Sequence, residues 1–329
     1  MAEPFVSIII PAYNSERWIR ATLESALAQT WPHTEVIVIN DGSTDLTEKI
    51  LSTYEARGVR VKSQVNQGPC SARNAGIRMA RGDYFQFLDH DDLLSASKIE
   101  DQILIARRSP PGALILSRGI TFLDGTDPLK GHLNLDWPVE DSEKPLDWLI
   151  QLYGPDGPAK MVHPSGWLVP RALVEKAGGW NETLEYNPVD DAEFFVRMVS
   201  ACTVIRKSGP AVTYVRRYKK NQHISLSSAT APQYIWTRLY AYDAITKILL
   251  EKCGDDSRSK KAMANRFKET AYICYPVSKE AAAYALKRVQ ALGGTDYEPW
   301  SRSWRWRFLS KTLGWRIARV LSCYYHRLF

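Results

Sequence analysis

Cysteine is scarce in this sequence, and long apolar runs are absent from it. The five cysteines among 329 residues stand apart, without the close pairs that mark a zinc site or a disulfide framework. Scattered cysteines favour a reducing compartment. No run approaches the roughly 18 apolar residues of a membrane-spanning helix, and no signal-peptide pattern precedes the first strand pattern. We therefore expect a cytoplasmic protein.

Acidic residues are missing from residues 300–329, a segment that we call the basic tail. The tail contains seven Arg or Lys residues, and the other 36 basic residues are balanced by 36 acidic ones. The net charge of +7 therefore belongs to the tail. A neutral main body lacks the basic face of a nucleic-acid-binding protein, so we expect no nucleic-acid partner.

The basic tail also has an apolar stripe. On a helix, three- and four-residue spacing places on one face Trp306, Leu309, Leu313, Ile317, Val320, Leu321, Tyr324 and Leu328. Basic residues beside such a face are typical of a helix that lies on an anionic membrane surface. We expect peripheral binding at the inner face of a membrane. The alternative is a helix that packs on the rest of the protein and leaves its basic side in water.

Strand and helix patterns alternate over the first hundred residues. Apolar, β-branched runs at 5–10, 35–40, 59–61 and 84–88 predict strands, and helical spacing lies between them. This alternation is typical of an α/β fold with a parallel sheet covered on both faces. Further along, the pattern predicts strands at 112–116 and 212–215, and helices at 173–178, 192–201 and 232–292.

Polar clusters follow three of the predicted strands, at residues 12–14, 40–43 and 89–92. Because ligands of parallel sheets bind beyond the carboxyl ends of the strands, we expect these clusters to share one crevice. The third cluster holds three aspartates in four residues. Crowded carboxylates need a counter-charge, and a divalent cation with oxygen ligands supplies it. The alternative is a solvated acidic turn that caps the next helix.

Together these segments resemble the signature of glycosyltransferase family 2, over about residues 5–225. The matching motifs are VSIIIPAYN (6–14), VINDGSTD (38–45), NQG (66–68), ARNAG (72–76), GDY (82–84), LDHDD (88–92), GGWNE (178–182) and DDAEF (190–194). The resemblance implies an inverting enzyme with the GT-A fold, a Rossmann-like mixed sheet with helices on both faces. We expect this domain at 1–228, with a nucleotide-sugar half at about 1–110 and an acceptor half at 111–228. A helical extension at 229–299 and the basic tail would follow.

The resemblance implies a nucleotide-sugar donor, with UDP as the expected nucleotide. Asp41 would accept a hydrogen bond from the imide N–H of uracil, and Tyr13 would stack near the base. Arg73 would lie beside the diphosphate, since the guanidinium fork pairs well with phosphate oxygens; taken alone, it could equally form an ion pair on a helix surface. The full set of expected donor-binding residues is Pro11, Ala12, Tyr13, Asn14, Asp41, Gly68, Arg73, Asp89, His90 and Asp91.

The resemblance also implies a metal site for Mn²⁺ or Mg²⁺ that would neutralise charge on the leaving diphosphate. Asp91 is the expected direct ligand, and Asp89 would bind ribose or metal. Asp92 is expected to be structural. His223 is a further candidate ligand, and the alternative is a surface histidine in a basic loop.

The acidic pair Asp190 and Asp191 corresponds to the family's catalytic acids. Inversion by one direct displacement needs a carboxylate that removes the proton of the acceptor hydroxyl. Asp191 aligns with this base. The family more often has Glu at the position of Asp190, which leaves open which of the two acts, and both would also suit a helix N-terminus.

The sequence therefore predicts an inverting, metal-dependent glycosyltransferase that moves a sugar from a UDP-linked donor to a hydroxyl of a glycan or a lipid-linked glycan. A sugar-1-phosphate nucleotidyltransferase is one alternative, but it would be expected to have a Gly-rich basic loop where residues 11–14 are Pro-Ala-Tyr-Asn. A non-catalytic nucleotide-sugar-binding protein is another. It would be expected to have lost one acidic cluster, and both clusters are present.

Overall fold

The computed structural model describes residues 3–134, 138–184, 187–219, 231–299 and 304–328. The described residues within 1–145, 161–183 and 190–224 form one compact unit, which we call the sheet unit. Those within 146–160, 184–189 and 225–329 form a second, which we call the helical unit. The predicted domain boundaries at 228 and 299 stay predictions.

The described part of the sheet unit contains one mixed sheet. Its strands are β1 (Val6–Ala12), β2 (Thr34–Asp41), β3 (Arg60–Gln64), β4 (Tyr84–Phe87), β5 (Leu93–Leu94), β6 (Leu114–Leu123), β7 (His132–Leu133), β8 (Trp167–Pro170) and β9 (Ile205–Arg217). They lie in the order β3-β2-β1-β4-β8-β6-β9-β5, and β7 pairs with β6. The first four are parallel, as the sequence predicts, whereas β8 runs antiparallel to β4 and β6.

The helices of the described chain are α1 (Ile19–Leu27), α2 (Thr47–Glu55), α3 (Pro69–Met79), α4 (Lys98–Ala106), α5 (Pro145–Leu152), α6 (Arg171–Ala177), α7 (Asp190–Ala201), α8 (Pro232–Cys253), α9 (Ser257–Cys274), α10 (Lys279–Ala291), α11 (Trp304–Leu313) and α12 (Trp315–Leu328). A short 3₁₀ turn at Pro164–Gly166 precedes β8. None of the described helices has both the length and the apolarity to cross a bilayer.

Side-chain alternation along β1 and β2 builds a core on each face of the sheet. Ile8 and Ile10 of β1 join one cluster with α1 and α4 residues. Ile37 and Ile39 of β2 point the other way and pack on Ala72 and other small residues of α3. Burying each such isoleucine contributes roughly 1.5–3 kcal/mol to stability. The near-continuous apolar runs of the sequence follow from this two-sided burial.

The helical unit joins its long helices to the 146–160 segment. Asn265 of α9 is buried and donates to the Gly154 and Pro155 carbonyls, at 2.8 and 3.1 Å. Arg319 of α12 donates to the carbonyls of Tyr272 and Tyr275, at 3.1 and 3.2 Å. These bonds attach α12 to α9.

The polar clusters that follow β1 and β2 meet directly. Asn14, at a φ of 44°, accepts a hydrogen bond from the Thr44 N–H at 2.8 Å, and its own N–H donates to Ser43 Oγ at 3.0 Å. Residues 89–92 follow β4, which pairs with β1 on its other side. The three clusters therefore lie at the same edge of the sheet, as predicted.

Gly82 lies where the chain enters β4 and has no room for a side chain. A Cβ at this position would lie 2.6 Å from the Ser7 nitrogen and 2.8 Å from the Tyr84 carbonyl oxygen. Both are backbone atoms that cannot rotate away. We expect Gly82→Ala to lower the free energy of unfolding by about 1–3 kcal/mol, measured by urea denaturation.

Gly209→Ala is the matched control. Its Cβ would touch only the Asp101 side chain, at 3.3 Å. We expect this variant to change the free energy of unfolding by less than about 1 kcal/mol. Equal stability of the two variants would contradict the proposed crowding at Gly82.

Candidate active site

Arg73 of α3 joins the two acidic clusters of the sequence. Its side chain is buried, and its guanidinium donates to Asp89 at 2.9 Å and to Asp190 at 2.6 Å. The central carbon of the guanidinium, Cζ, lies over the Trp180 ring, 4.3 Å from its centre. A planar fork with a fixed donor geometry can engage two carboxylates and an aromatic face together, which lysine cannot do.

Trp180 owes its position to two further contacts. Asn74, one residue after Arg73, accepts from the Trp180 N–H at 2.8 Å and donates to its carbonyl at 2.8 Å. The indole stacks on Phe194 of α7 with 4.2 Å between ring centres. The ARNAG and GGWNE motifs of the sequence are thus in contact, next to the helix that begins with Asp190.

Asp89 and Asp92 both face His163, which precedes the 3₁₀ turn. His163 Nε2 lies 3.3 Å from Asp89 Oδ2, and Nδ1 lies 3.3 Å from Asp92 Oδ2 and 2.8 Å from Ser165 Oγ. Burial raises the pKa of the Asp89 carboxyl, but the charges of Arg73 and His163 outweigh it and hold that pKa well below its usual range.

Asp92 and His163, the other two residues of this group of three, have raised pKa values. Burial raises the pKa of Asp92, and His163 offsets only part of this rise. Burial lowers the pKa of His163, but the Asp92 and Asp89 carboxylates raise it above its usual range. When it is protonated, the His163 ring supplies a positive charge next to both aspartates.

The chemistry of this group fits a divalent cation. In the described part of the chain, Asp89, Asp92 and His163 are the group of potential metal ligands whose atoms lie within 4.8 Å of one another. Asp92 Oδ2 is buried and accepts no hydrogen bond from the described residues. Carboxylates suit Mg²⁺ and Mn²⁺, and imidazole is a common ligand of transition metals, so the set suits Mn²⁺ well.

Asp91, the ligand expected from the sequence, has a different partner. Its Oδ2 accepts a 2.6 Å hydrogen bond from the Tyr218 hydroxyl, and its carbonyl accepts from Arg216 Nε at 2.7 Å. His90 points its carbonyl at Thr22 Oγ1, 2.8 Å away, and its ring lies 6.3 Å from that of Trp18. The roles of Asp91 and His90 stay predictions, and His223 lies outside the described residues.

Asp41, at the end of β2, organises the loop before α3. Its carboxylate accepts from Gln64 Nε2 at 2.8 Å, from the Gln67 N–H at 3.0 Å and from the Gly68 N–H at 2.8 Å. Gly68 has a φ of 87°, which only glycine adopts readily, and it lies at the point where the loop enters α3. These bonds use three of the four lone-pair positions of the carboxylate.

The residues that follow Ile10 line the same edge of the sheet. Pro11 and Ala12 are buried at the end of β1, whereas Tyr13 is exposed beside Asn14. Because Ala12 pairs with Asn40 in the β1–β2 register, Tyr13 follows the strand next to the one that ends at Asp41. Its exposed aromatic ring is a suitable stacking surface for a base. Their roles as donor-binding residues stay predictions.

Asp190 and Asp191 differ in their surroundings at the start of α7. Asp190 accepts from Arg73 through Oδ2 and from the Asp191 N–H through Oδ1, the latter at 2.8 Å. Asp191 Oδ1 accepts from the Ala192 N–H at 2.8 Å. Burial, with the neighbouring Asp190 carboxylate, raises the pKa of Asp191 to about 6.

His163 and Tyr218 have contacts in this site that the sequence patterns did not indicate. His163 lies in a stretch rich in Pro, Gly and Asp, far in sequence from the Asp cluster that it meets. Tyr218 follows β9 and belongs to a basic turn whose partners are set by the pairing of β9 with β5 and β6. Their contacts are long-range, so no local spacing signals them.

Removing Arg73 tests whether this bridge is structurally essential. Arg73→Met leaves the carboxylates of Asp89 and Asp190 without their shared cation. We expect the free energy of unfolding to fall by roughly 3–5 kcal/mol in urea denaturation, as for other broken buried ion pairs. Arg78→Met is the control, because Arg78 lies on the same helix with a side chain that is 63% exposed. It should change stability by less than about 1 kcal/mol, and a comparable loss in both variants would contradict the account.

Known proteins with related sequences are glycosyltransferases. An uncharacterised glycosyltransferase of Rickettsia typhi is 34% identical over 198 residues, 60% of this chain and 60% of that protein. The Escherichia coli protein named UDP-Glc:alpha-D-GlcNAc-diphosphoundecaprenol beta-1,3-glucosyltransferase WfaP is 43% identical over 99 residues, 30% of this chain and 39% of that protein. The chain thus spans 60% or less of the length of these relatives.

The chain also matches a solved structure and a family model. The crystal structure of S. aureus TarS 1-349 in complex with UDP matches with a TM-score of 0.64 and 19% identity, over 88% of this chain and 80% of that chain. This similarity confirms the predicted GT-A fold. The family model described as "Glycosyl transferase family 2" matches residues 7–177, more than half of the chain. The chain therefore belongs to glycosyltransferase family 2.

Proposed function

We propose that this protein is an inverting, metal-dependent glycosyltransferase that transfers a sugar from a UDP-linked donor to a hydroxyl of a glycan or lipid-linked glycan. The Arg73 bridge carries the proposal. One buried cation joins Asp89, beside the candidate metal ligands, to Asp190, beside the candidate base. An enzyme that displaces a diphosphate with a hydroxyl needs these two functions close together.

Asp41 supports a uracil nucleotide. Its carboxylate keeps one lone-pair position after accepting from Gln64, Gln67 and Gly68, so it can accept the imide N–H of uracil. The names of two similar proteins agree with a uracil nucleotide. The TarS structure contains UDP, and the name of WfaP gives UDP-Glc as its donor. Tyr13 and Asn14 lie beside the same strand ends and would contact the nucleoside.

Asp89, Asp92 and His163 would hold the divalent cation, and Asp91 stays a further candidate. When bound, the cation supplies positive charge that stabilises the departing diphosphate. Arg73 would also stabilise the departing diphosphate, because its guanidinium carries a permanent positive charge beside Asp89. Tyr218 holds the carboxylate of Asp91 in place and thereby fixes the loop that carries all three aspartates.

Asp191 is the better candidate for the general base. Asp190 forms an ion pair with Arg73 at 2.6 Å, so its Oδ2 is already engaged by a cation. Asp191 forms no ion pair with the residues that the structure describes, and burial beside Asp190 raises its pKa to about 6. A base with a pKa just below the working pH is ionised and still accepts a proton readily. Asp191 would take the hydroxyl proton as the acceptor oxygen attacks the anomeric carbon and the UDP bond breaks.

Asp191→Asn tests this assignment. The amide cannot accept the proton, so we expect sugar transfer to fall by about 10²–10⁴-fold, while UDP affinity changes little. The measurement is consumption of a panel of nucleotide sugars with Mn²⁺, together with calorimetric titration of UDP. Glu55→Gln, an exposed acid on α2, is the control and should behave like the wild type.

Three outcomes would contradict the proposal in different ways. Near-normal transfer by Asp191→Asn would remove Asp191 as the base. UDP binding without consumption of any donor by the wild type would favour a non-catalytic binding protein. Formation of a nucleotide sugar from a nucleoside triphosphate and a sugar phosphate would favour a nucleotidyltransferase.

The acceptor class is supported by the WfaP name, which describes transfer to a diphosphoundecaprenol-linked sugar. Such acceptors lie at a membrane surface, so a membrane-binding segment would help the enzyme reach them. The described part of the basic tail offers one. Ile317 and Leu321 of α12 are 53% and 42% exposed, whereas Ala318 and Ser322, about 100° further around the helix, are buried.

The two predicted roles of the basic tail are therefore compatible. α12 packs on the end of α9 through Arg319 and Trp315, and its exposed residues include Ile317, Leu321 and Arg316. We propose that the exposed side binds anionic lipid at the inner face of the membrane.

Replacing Ile317 and Leu321 together by Ser should abolish this binding, because the apolar side chains that enter the interface are lost. The measurement is co-sedimentation of the full chain with vesicles that contain phosphatidylglycerol, compared with pure phosphatidylcholine. Leu129→Ser removes a leucine of the sheet unit that is more exposed still, at 77%, and should leave binding intact. Equal soluble fractions of wild type with and without anionic vesicles would refute membrane contact.

A further inference from the structure

Lys98, the first residue of α4, is buried completely without an acidic partner among the described residues. Its side chain is 0% exposed. Its ammonium nitrogen donates to two amide oxygens, Gln86 Oε1 and Gln102 Oε1, the second at 2.7 Å. Gln102 lies one helical turn after Lys98, and Gln86 lies in the neighbouring strand β4.

The nitrogens of the same two amides donate hydrogen bonds to the 3₁₀ turn. Gln86 Nε2 donates to the Ser165 carbonyl at 2.9 Å, and Gln102 Nε2 donates to the Gly166 carbonyl at 3.0 Å. If either amide were reversed, its NH₂ would face the Lys98 donor and its oxygen would face a carbonyl oxygen. Lys98 therefore sets the orientation in which both amides hold the turn.

The Pro164–Gly166 turn contacts His163 directly. Ser165 Oγ lies 2.8 Å from His163 Nδ1, and the Ser165 carbonyl also accepts from Thr213 Oγ1 at 2.9 Å. The Gly166 carbonyl accepts a further bond from Ser117 Oγ at 3.2 Å. His163 is thus bonded to a turn whose carbonyls accept hydrogen bonds from buried side chains.

Stability alone does not account for a lysine at this position. Burial disfavours the charged amine and holds the pKa of Lys98 well below its usual range. An apolar side chain of similar size would fill the same space without that desolvation cost. Buried polar groups that are fully bonded specify one arrangement of their surroundings, and here the surroundings are the turn beside His163.

We propose that Lys98 is a positioning residue that acts through Gln86 and Gln102 to hold the Pro164–Gly166 turn, and so fixes the His163 ring between Asp89 and Asp92. The inference rests on the proposed function for the role of His163 as a metal ligand. The positioning itself is a property of the metal-free protein.

Two variants of the full chain test this proposal. Lys98→Met removes the donor and keeps the apolar stem. Gln102→Glu still accepts from Lys98 but cannot donate to the Gly166 carbonyl. We expect both to shift the imidazole ¹⁵N signals of His163 in metal-free protein, assigned with His163→Asn, and to lower Mn²⁺ affinity in an electron paramagnetic resonance titration by about tenfold.

Ile103→Val is the control, because it removes one buried methyl group from α4 and no hydrogen bond. It should leave the His163 signals and the Mn²⁺ affinity unchanged. Thermal unfolding of every variant separates loss of fold from loss of positioning. If Lys98→Met fails to fold, Gln102→Glu decides the outcome.

The outcomes separate this inference from the proposed function. Unchanged His163 signals and Mn²⁺ affinity in folded Lys98→Met and Gln102→Glu, with Mn²⁺ binding lost in His163→Asn, would overturn the positioning role. Shifted His163 signals in both variants, with Mn²⁺ binding intact in His163→Asn, would support the positioning role and overturn the metal assignment.

Discussion

The buried contact of Arg73 with Asp89 and Asp190 is the constraint on which the rest of the site depends. Three charged side chains are withdrawn from water there, which is costly unless they meet in good geometry. Arg73 meets both carboxylates within 2.9 Å and lies over Trp180. The strand that ends before Asp89 and the helix that begins at Asp190 are consequently held together in the sheet unit.

A second set of buried polar groups supports the opposite side of Asp89. Lys98 and its two glutamines hold the turn that carries His163, and His163 faces Asp89 and Asp92. Asp89 therefore lies between the Arg73 guanidinium and the His163 ring. Arg73 is permanently charged, whereas His163 can lose its proton and become a ligand. In the proposed site, this difference would allow a metal ion to replace the charge of His163 while Arg73 stays in place.

Much of the fold could be predicted from the sequence, because buried parallel strands produce apolar runs that end in polar residues. The full length of β9, Ile205–Arg217, could not be predicted. Its first half is rich in polar residues, and the strand is established there by pairing with β6. The family motifs predicted roles in the site for Asp41, Arg73 and Asp191. His163 was missed because its contacts with the Asp cluster are made only by tertiary folding.

The central claim is that Asp191 activates an acceptor hydroxyl for one direct displacement of the diphosphate. The most direct test is the anomeric configuration of the transferred sugar, read from the proton NMR coupling constants of the product that the enzyme makes from its donor. A configuration opposite to that of the donor is the predicted result. Retention of the donor configuration would contradict the account, because it requires two displacements or a different chemistry at this site.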